Sequence, residues 1–177
     1  MQTISPKLII GLGNPSKEYE KTYHNVGFLF IDSLAKNGFK KEKSFSFAKE
    51  GKVVLVKPLV FMNESGRAVS EAVKYFSSSK NKVSPEEILI VHDDSDIFLG
   101  DHKFSLGRGS AGHRGVESII KSLKTKDFSR LRIGIRPMDE KETKREKAGD
   151  FVLKKISPRN LKMLSEEFKE ISKIINV

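Results

Sequence analysis

Short runs of β-branched and apolar residues alternate along this chain with segments whose apolar residues recur at helical spacing, and this alternation constrains the fold more than any other feature. Lys7–Gly13, Val53–Val56 (ending at Lys57-Pro58), Ile88–His92 and Leu131–Ile135 read as strands. Val26–Lys36, Asn63–Phe76, Val116–Leu123 and Pro158–Ile175 read as helices; in the second, Ala68, Val69, Ala72, Val73 and Phe76 share one face. Strand–helix alternation of this kind implies an α/β fold with a largely parallel sheet. The chain has 177 residues, 37% of them hydrophobic, enough for one sizeable core, so a single domain over 1–177 is expected. The only strongly charged irregular stretch, Asp139–Lys147, reads as a solvated loop.

The formal charge of +10 points to a polyanionic partner, because such an excess attracts nucleic acid or an anionic surface and raises the encounter rate. No stretch approaches the ~18 apolar residues of a membrane span, and the N-terminus lacks the pattern of a signal peptide. A soluble, cytoplasmic protein is expected. With no cysteine, disulfides, thiolate nucleophiles and cysteine-rich metal sites are excluded.

The stretch GLGNPSKEYEKTYHNVG, Gly11–Gly27, crowds glycine, asparagine, proline and histidine where the first strand ends. A dinucleotide fingerprint needs G-x-G-x-x-G; here Ser16 stands at the third glycine and Pro15 removes an amide, so the match is weak. Taken singly, Asn14 and Pro15 make a turn and His24 starts a helix. Polar residues at other strand ends change that reading, because open α/β sheets build their sites there: Asn63 follows the Lys57-Pro58 strand end, and His92-Asp93-Asp94 closes the Ile88 strand. His24 with Asp93 has the composition of a general base and its orienting carboxylate. Asn14 and Asn63 have amides suited to an oxyanion and to substrate polar groups. No serine lies in a G-x-S-x-G elbow, so water is the expected nucleophile.

With GLGNPSKEYEKTYHNVG, the segments KPLVFMNESGRAV, HDDSDIFLG, GSAGHRGVESII and FSRLRIGIRP follow in the order found in bacterial peptidyl-tRNA hydrolases, which the chain resembles over most of its length. The resemblance implies a twisted, mostly parallel mixed sheet flanked by helices. It implies hydrolysis of the ester joining a peptide to the 3′ end of tRNA, by a cytoplasmic monomer, with no metal, cofactor, membrane or obligate protein partner. By motif, His24 is the general base toward water and Asp93 its orienting carboxylate. Asn14 and Asn63 are implied to hold the peptide main chain and the water or carbonyl oxygen, with Tyr19 and Met62 lining the cleft and His113 and Arg114 meeting substrate. Lys103, Arg108, Arg114 and Arg132 are candidates for phosphate contacts to the acceptor stem, which give affinity with little sequence reading.

The chain departs from the family pattern in three places, one of them Arg136-Pro137, which follows Gly134-Ile135 with one residue fewer than in many members. Arg114, in Gly112-His113-Arg114-Gly115, replaces an asparagine implied to contact substrate, and Ser105 stands where the family commonly has a lysine. Arg108 replaces a usual glycine and compensates in charge. A rival reading from the same fold is an RNA-binding protein, like the hydrolase-derived splicing factors of chloroplasts, that keeps the pocket without the activity. A membrane-surface role would need a basic helix with a large apolar face, and the last helix mixes Glu166, Glu167 and Glu170 with its lysines.

Overall fold

The computed structural model describes residues 6–137, 148–175 and 177, so the expected loop at Asp139–Lys147 lies outside the described residues. Strands β1 (Leu8–Gly11), β2 (Lys40–Lys41), β3 (Phe45–Glu50), β4 (Val53–Pro58), β5 (Ile88–Phe98), β6 (His102–Leu106) and β7 (Ser129–Arg136) form one mixed sheet in the order β2-β3-β4-β1-β5-β7-β6. The helices are α1 (Val26–Leu34), α2 (Ser65–Phe76), α3 (Arg114–Leu123), α4 (Ala148–Phe151) and α5 (Pro158–Ile175). Parallel pairing is confined to the four central strands, β4-β1-β5-β7; β2, β3 and β6 add antiparallel edges. Those strands escape the sequence reading because β2 is only two residues long, β6 is exposed or half-exposed throughout, and β3, though largely buried, interrupts its apolar residues with Ser46.

Both faces of the central strands are covered, which is why they are apolar without alternation. Ile9, Leu55, Leu89, Val91, Leu131 and Ile133 pack beneath α1 and α5, against Val26, Phe30, Ile31, Phe168 and Ile171. On the opposite face Leu8, Ile10, Val56, Ile88, Ile90 and Phe128 meet Val69 and Ala72 of α2 and Val116 and Ile119 of α3. Among the described residues no helix is long and apolar enough to cross a membrane.

The glycines of the opening stretch serve close packing. A Cβ on Gly11 would stand 2.3 Å from the carbonyl oxygen of Gly27, and one on Gly27 would stand 2.5 Å from that of Val91. The first turn of α1 therefore lies directly on the backbone of β1 and β5. This contact sets the site, since His24 is three residues before Gly27 and Asp93 two residues after Val91.

Candidate active site

A cleft of about 700 Å³ opens at the carboxyl ends of β1, β4 and β5, lined among others by Asn14, His24, Met62, Asn63, Asp93 and His113. The Asp93 carboxylate is buried, and its Oδ1 lies 2.8 Å from His24 Nδ1 and 3.0 Å from His113 Nε2. Burial alone would push this carboxyl up. The two imidazoles bonded to it override that and hold it well below the usual carboxylate range. A carboxylate only accepts, so His24 carries its proton on Nδ1 and presents the lone pair of Nε2. The same logic fixes His113, whose Nε2–H donates to Asp93 while Nδ1 accepts from the Val116 amide at 3.3 Å and caps α3.

Asn14 is held three ways. Its Oδ1 accepts from the Met62 amide at 2.8 Å, its own amide donates to Asn25 Oδ1 at 2.8 Å, and its carbonyl accepts from Asn25 Nδ2 at 2.9 Å. With Oδ1 engaged, Nδ2 is the remaining donor of this cleft-lining side chain. Asn63, exposed on the short turn before α2, shares the rim with Arg114. Tyr19 and Phe61 meet edge to face, with ring centroids 6.4 Å apart, and form an apolar wall with Val152 and Leu153. The segment after α4 reaches this wall by pairing with the strip before α1: the His24 amide donates to the Val152 carbonyl at 2.8 Å, and the Tyr23 amide to that of Lys154 at 3.2 Å.

A family model described as peptidyl-tRNA hydrolase matches residues 8–177. The chain belongs to the peptidyl-tRNA hydrolase family. A peptidyl-tRNA hydrolase of Aquifex aeolicus is 45% identical over 173 residues, covering 93% of this chain and 85% of the relative. One from Mycoplasma capricolum is 42% identical over 178 residues, 96% and 91% of the two chains. The crystal structure of peptidyl-tRNA hydrolase from Acinetobacter baumannii superposes with a TM-score of 0.78 at 28% identity, covering 99% of this chain and 91% of that one.

Within this member of the peptidyl-tRNA hydrolase family, the eight cleft residues named from the sequence, Asn14, Tyr19, His24, Met62, Asn63, Asp93, His113 and Arg114, all line one cavity. Both ring nitrogens of His113 are engaged, Nε2 by the Asp93 carboxylate and Nδ1 by the Val116 amide at the start of α3. Lys103, Arg108 and Arg132 do not line the cleft. Lys103 of β6 sits opposite Arg132 of β7, Arg108 follows β6, and Arg132 Nε donates to Asp94 Oδ2 at 2.7 Å. Sequence reasoning missed Asn25, Phe61, Arg130 and the Val152–Leu153 segment. Only Asn25 left a signal, as an amide side chain adjoining His24 in a stretch otherwise bound for the core. His24, Asp93 and His113 offer ligand atoms within 4.8 Å of one another, the one cluster of this kind among the described residues, and one nitrogen of each imidazole is bonded to the carboxylate.

Proposed function

We propose that this chain hydrolyses the ester between a peptide, or an N-blocked aminoacyl group, and the 3′ end of tRNA, with His24 as general base. The observation that carries the reading is the His24–Asp93–His113 chain of hydrogen bonds within a cleft that Asn14 and Asn63 also line. His24 Nε2 accepts a proton from water as the water oxygen attacks the ester carbonyl carbon. Asp93 remains ionised and stabilises the imidazolium formed. The Asn14 and Asn63 amides donate to the developing oxyanion or to the peptide main chain. When the tetrahedral species collapses, the proton on His24 goes to the departing 3′ oxygen of the ribose and the carbon–oxygen bond breaks. His113 is a positioning residue in this scheme. Tyr19, Phe61 and Leu153 supply apolar area for the acyl group, and Lys103, Arg108, Arg114 and Arg132 supply positive surface for the acceptor stem. We read the protein as a cytoplasmic monomer needing no metal or cofactor.

The experiment is release of an N-blocked aminoacyl group from aminoacyl-tRNA, with His24→Ala alongside and a chelator present. Turnover that persists with chelator and is lost in His24→Ala, with RNA binding retained, is the expected result. Tight RNA binding by the unaltered protein without turnover would move the chain to the RNA-binding reading.

A further inference from the structure

Three buried side-chain atoms lacking a hydrogen-bond partner among the described residues lie on one face of three neighbouring strands: His92 Nε2 on β5, Arg130 Nε on β7 and Ser105 Oγ on β6. Arg130 stands opposite Ile90 of β5 and Ser105 of β6. His92 is two residues beyond Ile90 and so shares that face. Arg130 is only 3% exposed and lines the cleft, as does His92. It forms no ion pair among the described residues; Asp94, whose charge acts on it, is already held by Arg132. Arg130 Nε is therefore buried without an acceptor, a costly arrangement unless a ligand supplies one.

The two cleft groups have opposite hydrogen-bonding character. Arg130 can only donate. His92 Nδ1 faces the Asp93 carbonyl at 2.7 Å, so its proton sits there and Nε2 is a bare acceptor. Burial and the neighbouring His113 push the His92 imidazole down to about 3, which keeps it neutral. The complementary ligand carries an anionic oxygen beside a hydroxyl donor.

We propose that Arg130 and His92 form a seat for a ribose-phosphate unit, Arg130 taking the phosphodiester that precedes the terminal nucleotide and His92 Nε2 accepting from the adjoining 2′-hydroxyl. The proposal rests on the hydrolase reading and names the substrate feature that positions the ester. The two centres share a neighbour: the His113 ring lies 5.1 Å from the ring of His24 and 4.6 Å from that of His92. An RNA whose 3′-terminal ester lies at His24 brings its last phosphodiester to the same cleft. The 2′-hydroxyl contact would also separate RNA from DNA at this position.

The test uses N-blocked aminoacyl esters of adenosine, of the dinucleotide CpA and of its dCpA analogue, each compared as kcat/KM with intact N-blocked aminoacyl-tRNA. The unaltered protein should prefer the CpA ester to the adenosine ester by roughly tenfold or more, and to the dCpA ester by several-fold. Arg130→Gln should erase most of the CpA-over-adenosine preference and Arg130→Lys restore part of it, with folding checked by circular dichroism. If Arg130→Gln does not fold, Arg130→Lys and the three esters on the unaltered protein decide the matter. A structural role for Arg130 would lower all esters equally, and that result, or no preference for CpA in the unaltered protein, overturns the proposal. A loss seen only with intact tRNA places the phosphate elsewhere and overturns it too. Absence of turnover on every substrate, intact aminoacyl-tRNA included, would instead fell the hydrolase reading itself.

Discussion

Replacing Asp93 by asparagine isolates the charge of the buried carboxylate from its shape. An amide oxygen at the position of Oδ1 can still accept from His24 Nδ1 and His113 Nε2, at 2.8 and 3.0 Å, so the imidazole tautomers need not change. What disappears is the anion facing the imidazolium that forms when His24 takes the water proton. Unit charges about 2.8 Å apart at an effective dielectric of ~20 attract by up to ~6 kcal/mol, and the difference between a charge-assisted and a neutral hydrogen bond is about 1–2 kcal/mol. These bracket the transition-state loss at about 3–5 kcal/mol, or roughly 10²- to 10⁴-fold in kcat. Because Asp93 does not touch substrate in this scheme, KM should stay within a few-fold. The assay is steady-state release of N-blocked aminoacyl groups at saturating substrate, with thermal unfolding followed in parallel. A folded Asp93→Asn protein turning over within tenfold of the unaltered one would refute the role given to the carboxylate.

Gly27→Ala should destabilise the fold by about 2–3 kcal/mol, an overpacking cost against backbone atoms partly offset by better helix propensity, lowering Tm by roughly 4–10 °C; calorimetry showing equal or greater stability would dissolve the close α1–sheet contact. Glu167, on α5, stands 3.3 Å from His102 Nδ1 without hydrogen-bond geometry, and burial with the nearby Asp101 charge pushes its carboxyl up to about 8. The folded chain then holds a proton the unfolded chain has released, so stability contributed at low pH is lost as pH rises toward 8, at up to about 1.4 kcal/mol per pH unit. His92 and His102, both held down chiefly by burial, work in the opposite sense at lower pH, so unfolding curves between about pH 7.5 and 8 report chiefly on Glu167, and Glu167→Gln should flatten them. Affinity for tRNA should fall steeply with added salt, and a flat response in a filter-binding titration would mean that the +10 charge serves another purpose.

The α/β class and the His24–Asp93 pairing were legible because each rests on local signals: apolar runs too continuous for one-sided strands, and polar residues at the strand ends where such sheets build sites. Parallel order at the centre followed from the same alternation. The antiparallel edges did not, since β6 reads His-Lys-Phe-Ser-Leu with exposed and half-exposed residues throughout. Arg130 was illegible for a related reason. In Ser129-Arg130-Leu131-Arg132 the two arginines are equivalent by sequence, and only the sheet register, with Asp94 claiming Arg132, leaves Arg130 buried and unclaimed. The second role of His113, as cap and carboxylate partner, likewise depends on where α3 begins, which the sequence reading put two residues late.

The strip carrying His24 is tied by backbone hydrogen bonds to Val152 and Lys154, about three quarters of the chain away, while β1 is flanked by β4 and β5. A nascent chain leaving the ribosome therefore carries Asn14 and His24 long before the strands and straps that give them geometry. Contacts of such sequence separation form late and slowly. During its own synthesis the polypeptide is itself esterified to tRNA, and the fold withholds the finished cleft until the segment containing Val152 has emerged.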